Sequence, residues 1–513
     1  MDQTTFEANL KPFLLILLVS LSAATLPQIF GWFRRIPYTL LLVMIGLALA
    51  GLDVRFINLS PSLILLVFLP PLLFEAAWSF HWRDLKRHLL PISLYAVFGV
   101  LISIAGVAIG LAQLTGISLT TALLIGACLS STDPISVTAL FRELGVNKQL
   151  ITLLEGESLF NDGTAVVAFG IFSGLAFGTV KLTASSFVLQ LLTVIGIGIG
   201  TGVLIGFGIS YLTQRFELPQ VEQSLTLVAA YGSYIIADDL GGSGVLAVVT
   251  TGLILGNFGS RIGMNPRTRI IVGEFWNFLA FLVNSIVFLV IGDQIRFNLL
   301  RQNIGAIAIT IIVMILARAI AVYGLSFLSN LFTPFNIQRK NQTVLWWGGL
   351  RGSVTIALAL SVPTQLSDRS MIISIVFGVV LFTLLVQGLT IQSFVQKLQL
   401  LDHQQELQQH YQEMMIRQIA LNRALERLQT IGQRLSLAPD VYHAQEAEIQ
   451  AELDRLHHEL TILQNQYREL RHVTAEQLRA ELALTELETY TEFVRQGRLD
   501  QTLPPFLKRF SKQ

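Results

Sequence analysis

Apolar runs of about 20 residues, separated by short polar segments, follow one another along most of the chain. An α-helix of that length crosses the hydrocarbon core of a bilayer. By this criterion the sequence predicts about thirteen membrane-spanning helices, at residues 12–30, 37–52, 60–78, 89–113, 119–140, 150–177, 184–213, 221–238, 243–258, 272–292, 303–332, 343–363 and 370–393. We therefore expect an all-α polytopic membrane protein.

The hydrophobic pattern changes near Gln396, beyond which the chain is polar and rich in Gln, Glu, Arg and Leu. Apolar residues in this part recur at steps of four and three, as in a coiled-coil seam. The seam consists of Ile449, Leu453, Leu456, Leu460, Leu463, Tyr467 and Leu470, and a shorter stripe of Leu421, Leu425 and Leu428 precedes it. We predict a transmembrane domain at residues 1–396 and a cytoplasmic helical or coiled-coil tail at residues 397–513, with Pro439 between its two helices. The tail either packs only on itself or has a dimerising or regulatory role, and the pattern favours neither alternative.

The composition agrees with membrane insertion and argues against several other classes of protein. Hydrophobic residues make up 52% of the chain and charged residues 13%, which is outside the usual range of soluble proteins. A formal net charge of +1 gives no indication of a nucleic-acid partner. A single cysteine, Cys128, excludes an intrachain disulfide.

Basic residues in the predicted loops indicate how the chain is oriented in the membrane. One set of alternate loops contains Arg34, Arg35, Arg83, Lys86, Arg87, Arg142, Lys148, Arg215, Arg261, Arg267, Arg269, Arg339 and Lys340, whereas the other contains Arg55, Lys181, Arg296, Arg301 and Arg369. The positive-inside rule assigns the more basic set to the cytoplasm. Because the predicted number of spans is odd, the two termini lie on opposite sides of the cell (plasma) membrane. The N-terminus is then outside the cell and the C-terminus is cytoplasmic.

Two of the predicted spans are interrupted by polar or helix-weakening residues. The fifth span contains Ser131-Thr132-Asp133-Pro134 and the twelfth contains Gly348-Gly349-Leu350-Arg351-Gly352. Pro134 lacks an N–H group and clashes with an earlier carbonyl, so it frees carbonyl oxygens beside Asp133. Carbonyl and carboxylate oxygens together are ligands for hard cations. The alternative is a simple proline kink in which neighbouring hydroxyls satisfy Asp133.

The second interrupted span follows the first at an offset of seven spans, which indicates two inverted repeats, each with one discontinuous helix. In transporters such helices present unwound carbonyls and dipole ends at the bilayer midplane, where ions bind. Arg351 either neutralises the C-terminal ends of these half-helices or extends to the membrane surface.

The predicted sixth span carries Glu157, Ser158, Asn161 and Asp162 within an apolar segment. Each ionised side chain at the bilayer centre costs about 2.5–3.5 kcal/mol, so two of them need a function. Ser158 and Asp162 are four residues apart and share one helix face, and Glu157 and Asn161 share the adjacent face. Arg318, in the predicted eleventh span, is a counter-charge for one of the acids. We assign Glu157 to a structural pair with Arg318 and leave Asp162 to bind an ion.

Two other features of the apolar runs have alternative interpretations. Glu75 follows the double proline of the third span and lies either in the protein interior or at the level of the lipid headgroups. In the seventh span, Gly198, Gly202 and Gly206 make a face of small residues. Such a face serves either an internal helix contact or a dimer interface.

The segments Phe68–Glu75, Ser131–Pro134, Gly156–Asp162, Ser243–Val249, Gly252–Asn257 and Gly348–Gly352, in this order, resemble the NhaP-type sodium/proton antiporters. These belong to the first monovalent cation/proton antiporter family, which includes the animal sodium/hydrogen exchangers. The resemblance covers about residues 10–395, and the tail has no motif of that family.

The resemblance implies a homodimer with a dimerisation domain and a six-helix core domain, in which the two discontinuous helices cross. It also implies roles for individual residues. Asp162 would bind the cation or the proton, and Asp133, Ser158 and the Thr132 backbone would complete the sodium shell. Glu75 would reach the ion through water, and Asn161 would hold the broken helix. Glu157 would pair with Arg318, and Arg351 would belong to the second broken helix. Asn161 in place of a second aspartate resembles the electroneutral branch, which exchanges one cation for one proton.

We therefore expect a transporter, not an enzyme, that needs no cofactor and exchanges Na⁺ or Li⁺ for H⁺ across the lipid bilayer. Burial favours the neutral form of a carboxyl group and a bound cation favours the ionised form, so the two ions compete for Asp162 during alternating access. The alternatives are K⁺/H⁺ exchange within the same family and a cation channel gated by the tail. An intramembrane hydrolase that uses Ser158 is disfavoured, because no histidine lies in a nearby span to activate the hydroxyl.

Overall fold

The computed structural model describes residues 3–29, 37–52, 63–178, 184–215, 218–260, 264, 266–333, 336–400, 403–434 and 439–467. Several residues used in the sequence predictions, namely Arg34, Arg35, Arg55, Lys181, Arg261 and Leu470, lie outside the described residues. The chain divides into two compact units, Met1–Leu401 and Asp402–Gln513.

Among the described residues, each predicted span corresponds to one helix of the first unit, except that the fifth and twelfth spans each contain two, and two further short helices lie between spans. They are α1 Gln3–Ile29, α2 Tyr38–Gly51, α3 Leu63–Ser79, α4 Trp82–Arg87, α5 Leu89–Thr115, α6 Leu119–Cys128, α7 Ile135–Glu143, α8 Lys148–Ala176, α9 Ala184–Thr213, α10 Pro219–Asp239, α11 Gly244–Gly259, α12 Pro266–Asp293, α13 Phe297–Gln302, α14 Ile304–Phe332, α15 Arg339–Trp347, α16 Ser353–Ser361 and α17 Arg369–Lys397. Six helices in the described part of the chain are long and apolar enough to cross a membrane, and further apolar helices are shorter. The expected all-α polytopic fold is confirmed.

Both predicted breaks are present. The fifth span is helical in α6 and α7 but not between them, and the Ser118 hydroxyl caps the start of α6 by accepting from the Thr121 N–H at 3.2 Å. The second break contains Gly348–Gly352, between α15 and α16. Proline and glycine thus interrupt these helices inside the protein, where backbone N–H and carbonyl groups freed at the two breaks form hydrogen bonds with each other.

The two breaks contact each other, because the Asp133 N–H donates to the Leu350 carbonyl at 2.9 Å. Each break lies between two long helices of its own repeat. The first repeat is α5, α6–α7 and α8, and the second is α14, α15–α16 and α17. This arrangement is the pair of discontinuous helices that the interrupted spans predicted, and the family resemblance implied that they cross.

The glycine face of α9 makes an internal contact. A Cβ built on Gly198 would lie 2.6 Å from the Ser243 carbonyl, and one on Gly202 would lie 2.6 Å from the Ala247 carbonyl. Gly206 approaches Ile254 in the same way. The small residues therefore let α11 pack closely on α9, which is the first of the two predicted alternatives.

The second unit contains two long helices, α18 His403–Arg434 and α19 Pro439–Gln466. They pack through buried Tyr411 and Met414 from α18 and Leu456 and Leu460 from α19. The central residues of the predicted seam therefore face a helix of the same chain. This packing supports the self-packed alternative for the tail.

Candidate cation-binding site

The first break lies against the polar face of α8. The Ser131 hydroxyl donates to Asp162 Oδ1 at 2.5 Å. One turn earlier on α8, the Ser158 hydroxyl donates to the Thr132 carbonyl at 2.6 Å. Since Ser158 and Asp162 are four residues apart, both face the break from one side of the helix, as their spacing predicted.

Asn161 binds the same break from the adjacent face of α8. Its amide nitrogen donates to Thr132 Oγ1 at 2.6 Å, and its amide oxygen accepts from the Thr132 N–H at 3.4 Å. An ionised aspartate at this position would have no N–H group to donate to Thr132 Oγ1. The neutral amide thus satisfies backbone and side chain of the unwound segment without adding a charge.

Asp133 has one occupied and one free carboxylate oxygen. Oδ1 accepts from the Ile135 N–H at 3.0 Å, at the start of α7. Oδ2 is buried and has no hydrogen-bond partner among the described residues. It lies so close to Gly352 that a Cβ there would overlap it. Gly352, which the sequence linked only to a weakened helix, is therefore the residue that makes room for Asp133.

Arg351 is fully buried beside the first break. Its Nη1 donates to the carbonyls of Ser130 and Ser131 at 3.1 and 2.7 Å. These carbonyls follow the C-terminal end of α6, so the guanidinium neutralises the negative end of that half-helix. The alternative, in which Arg351 extends to the membrane surface, is wrong because the side chain has no exposed area.

Glu157 and Arg318 form the predicted pair, with Nη1 and Oε1 2.9 Å apart and both side chains buried. Arg318 also donates to the carbonyls of Leu345 and Trp346 at 2.9 and 3.1 Å. A Cβ on Gly349 would overlap the guanidinium. The pair therefore joins α8 and α14 to the end of α15, and neither of its side chains lines the cavity that contains Asp162.

A cavity of about 420 Å³ leads to the carboxylates of Asp162 and Asp133. Its wall also contains Ser131, Ser158, Glu75 and Glu155, and it reaches the exposed side chain of Arg142. Glu75 belongs to this wall, and its Oε1 accepts from the Ser79 hydroxyl at 3.1 Å. Four acidic side chains thus face one water-accessible space, together with hydroxyl oxygens.

Next to Asp162, the same helix makes a close apolar contact with α11. A Cβ on Gly163 would lie 2.5 Å from Leu246 Cδ2, so the Leu246 side chain of α11 fits against the bare backbone. A second cavity, of about 240 Å³, begins at Val166, one turn further along α8, and reaches Asp238. Two cavities therefore lie along α8, one that contains Asp162 and one that begins at Val166, and Gly163, against which Leu246 packs, lies between these two positions in the sequence.

Two parts of this site could not be assigned from the sequence. The bond from Ser131 to Asp162 depends on a non-helical segment, to which helical periodicity does not apply. The fit of Leu246 against Gly163 joins helices remote in the chain. The only available signal for Ser131 was its position next to Thr132 and Asp133 in the interrupted span.

Comparison with known proteins gives consistent matches over the first unit and beyond. Residues 16–397 match the family described as "Sodium/hydrogen exchanger, transmembrane". The chain is 54% identical to the Na⁺/H⁺ antiporter ApNhaP of Aphanothece halophytica, over 99% of this chain and 98% of the relative. It is 51% identical to the low-affinity Na⁺/H⁺ antiporter NhaS1 of Synechocystis sp. (strain PCC 6803), over 99% of this chain and 97% of the relative.

The fold is also that of a solved structure. The sodium proton antiporter MjNhaP1 from Methanocaldococcus jannaschii at pH 8 superposes with a TM-score of 0.64 and 19% sequence identity. The alignment covers 76% of this chain and 99% of that one. Given the extent of the family match and the two full-length relatives, this chain belongs to the transmembrane sodium/hydrogen exchanger family.

Proposed function

We propose that the chain is a secondary active antiporter that exchanges Na⁺ for H⁺ across the membrane, and that both ions bind at Asp162. The observation that carries the proposal is the buried Asp162 carboxylate, hydrogen-bonded to Ser131 and lining a cavity with Asp133. Two relatives that match over nearly their whole length are named Na⁺/H⁺ antiporters, which supports the same reaction.

The oxygen atoms around Asp162 suit a small hard cation. Asp162 and the free Oδ2 of Asp133 supply carboxylate oxygens, and Ser158 and Thr132 supply hydroxyl and carbonyl oxygens. Na⁺ takes these oxygens once the hydroxyl hydrogens turn away, because a hydroxyl oxygen keeps lone pairs for a cation. Glu75 faces the same cavity and reaches the ion through water.

Competition between Na⁺ and H⁺ follows from burial of the carboxylate. A bare carboxylate in an apolar environment is costly, whereas the protonated acid and the sodium–carboxylate pair are both neutral. A site that moves only when it is neutral couples the two ions. The same physics applies to Li⁺ and K⁺, so K⁺/H⁺ exchange is the alternative within the family.

The charges around the site support exchange of one cation for one proton. Glu157 is neutralised by Arg318 at 2.9 Å, and the Asn161 amide is uncharged. Arg351 donates to the backbone carbonyls of Ser130 and Ser131. We assign a constant charge to Asp133 and Arg351 throughout the cycle, so that Asp162 alone alternates between Na⁺ and H⁺, which gives an electroneutral 1:1 cycle.

Alternating access is supported by the two cavities along α8. The larger one contains Asp162, the smaller one begins at Val166, and the contact of Leu246 with Gly163 lies between these positions along α8. A channel needs a continuous pore, and we propose that the packing of Leu246 against Gly163 closes the path between the two cavities. Because Arg142 belongs to the loops assigned to the cytoplasm, the larger cavity is the inward one, with the N-terminus outside.

We propose that the tail is a cytoplasmic helical hairpin that packs on itself. Its seam residues Leu456 and Leu460 are buried against α18 of the same chain. Tail-to-tail dimerisation would therefore need other residues, and we assign the homodimer contact to the transmembrane part.

The test is exchange by the purified full chain in liposomes with an acidic interior, followed with a fluorescent pH dye. Addition of Na⁺ is expected to raise the internal pH, and parallel additions of Li⁺ and K⁺ define the cation. Asp162→Asn is expected to abolish the signal. Asp84→Asn, which changes an acid paired with Lys148 away from the cavity, is the matched control and should exchange normally. No response of the wild-type protein to any cation would contradict the proposal.

A further inference from the structure

One face of α8 lines the inward cavity from its exposed end to Asp162. Glu155, Ser158, Leu159 and Asp162 all contact the cavity, at the spacing of one helix face. Asp162 follows Glu155 by seven positions, which corresponds to a rise of about 10.5 Å along the helix. A cation that moves along this wall therefore meets Glu155 before it reaches Asp162.

Glu155 already holds a positive charge from its own chain. Nη2 of Arg142, on α7, lies 2.6 Å from Glu155 Oε1. The Arg142 side chain is 64% exposed and that of Glu155 is 23% exposed. Because the Arg142 side chain is largely exposed, water can solvate its guanidinium when another cation takes its place beside Glu155.

A neighbouring ion pair provides a contrast. Lys148, at the start of α8, binds Asp84 at 2.8 Å, with its side chain 65% exposed. Neither of these residues contacts the cavity. The two pairs thus have similar exposure and the same charges, but only Arg142 and Glu155 belong to the path to Asp162.

We propose that the Arg142–Glu155 pair sets the apparent affinity for the transported cation, because the Arg142 guanidinium competes with the incoming cation for the Glu155 carboxylate. This inference rests on the proposed exchange at Asp162. Glu155 acts as a positioning residue that draws the cation into the cavity. Arg142 weakens this attraction and keeps the cavity mouth occupied at low cation concentration.

Competition makes predictions of opposite sign for the two partners. Arg142→Gln is expected to lower the KM for Na⁺ and Glu155→Gln to raise it, each with little change in the maximal rate. The expected size is about two- to fivefold, which is the range that coupling energies of exposed ion pairs correspond to at 25 °C. Arg142→Lys keeps a positive charge beside Glu155 and should restore a KM near that of the wild type.

The experiment measures the KM for Na⁺ and the maximal rate of the full chain in liposomes at one pH and ionic strength. The variants are Arg142→Gln, Arg142→Lys, Glu155→Gln, the double variant of Arg142→Gln with Glu155→Gln, and the control Lys148→Gln. Competition predicts that Arg142→Gln lowers the KM only when Glu155 is present, and that Lys148→Gln has no effect. Thermal unfolding of each variant confirms that the fold is intact.

Two results would overturn the inference. An equal decrease in KM with Lys148→Gln would show a general effect of surface charge. An equal effect of Arg142→Gln with and without Glu155 would show that the two residues do not compete through that carboxylate. Either result, obtained with a wild-type protein that exchanges Na⁺ for H⁺, leaves the proposed function standing, whereas an inactive wild-type protein contradicts that function first.

Discussion

The backbone N–H of Asp133 donates to the carbonyl of Leu350 at 2.9 Å, which joins the two broken helices at their breaks. Arg351 adds a second connection by donating to the Ser130 and Ser131 carbonyls. Backbone N–H and carbonyl groups of two unwound segments that are distant in the sequence thereby obtain hydrogen-bond partners inside the membrane domain. The Asp133 carboxylate is left with one buried oxygen, Oδ2, without a hydrogen-bond partner among the described residues, next to Gly352.

The close fit of Gly352 against Asp133 predicts a strong effect of a single methyl group. Gly352→Ala would push the Asp133 carboxylate out of position, because the new Cβ overlaps Oδ2. Misplacement of a binding group by about 1 Å costs on the order of 100-fold in rate, so we expect a decrease of about 10- to 100-fold in exchange. Gly324→Ala, on α14, is the control, since nothing lies within 4 Å of its added Cβ. Normal exchange by Gly352→Ala would contradict the assigned role of Asp133.

The buried pair of Glu157 and Arg318 predicts a loss of stability. Glu157→Ala leaves a buried guanidinium without its counter-charge, which costs about 3–5 kcal/mol. We expect a lower midpoint of thermal unfolding in detergent and a lower yield. Asp84→Ala removes one partner of an exposed pair and should cost at most about 1 kcal/mol. A Glu157→Ala protein of wild-type stability that does not exchange would instead assign Glu157 to the transported ion.

The contact of Leu246 with Gly163 predicts a rescue experiment. Gly163→Ala brings a Cβ to within 2.5 Å of Leu246, which prevents close packing of α8 on α11 and should slow exchange. Adding Leu246→Ala creates room for the new methyl group, so the double variant should recover much of the rate. Gly170→Ala, on the same helix with nothing within 4 Å of its Cβ, should behave as wild type. Failure of Leu246→Ala to rescue Gly163→Ala would argue against a seal at this contact.

The neutral Asn161 and the paired Glu157 predict that exchange does not respond to membrane voltage. A cycle that moves one cation against one proton transfers no net charge. Liposomes clamped at positive, zero and negative potential with a K⁺ gradient and valinomycin should therefore show equal initial rates of Na⁺/H⁺ exchange. A rate that changes systematically with the clamped potential would show that the cycle moves net charge.

The sequence predicted the fold well because membrane spans are marked by length and hydropathy. Pro134 and the glycines around Arg351 also revealed where two spans break, since both residue types weaken helices wherever they occur. Glu157 and Arg318 were matched because a buried charge needs an opposite one. These predictions depend on local chemistry or on charge balance, and no knowledge of packing is required.

The remaining parts of the site depend on packing between segments that are distant in the sequence. Ser131 contacts Asp162 through a segment without regular structure, so no periodicity indicates its direction. Gly352 is needed because of Asp133, and Gly163 because of Leu246. The position of Glu75 in the cavity wall likewise follows from the placement of α3 beside α8.

The central claim is that Na⁺ and H⁺ compete for the Asp162 carboxylate. Its most direct test is calorimetric titration of the purified protein with Na⁺, in two buffers of different ionisation enthalpy, at a pH where the empty site is protonated. The difference between the two heats gives the number of protons released per Na⁺ bound. We expect the wild-type protein to release about one proton per Na⁺, because the two ions exclude each other at one carboxylate. Asp162→Asn should release none. Sodium binding without proton release in the wild type, or equal release from Asp162→Asn, would contradict the account.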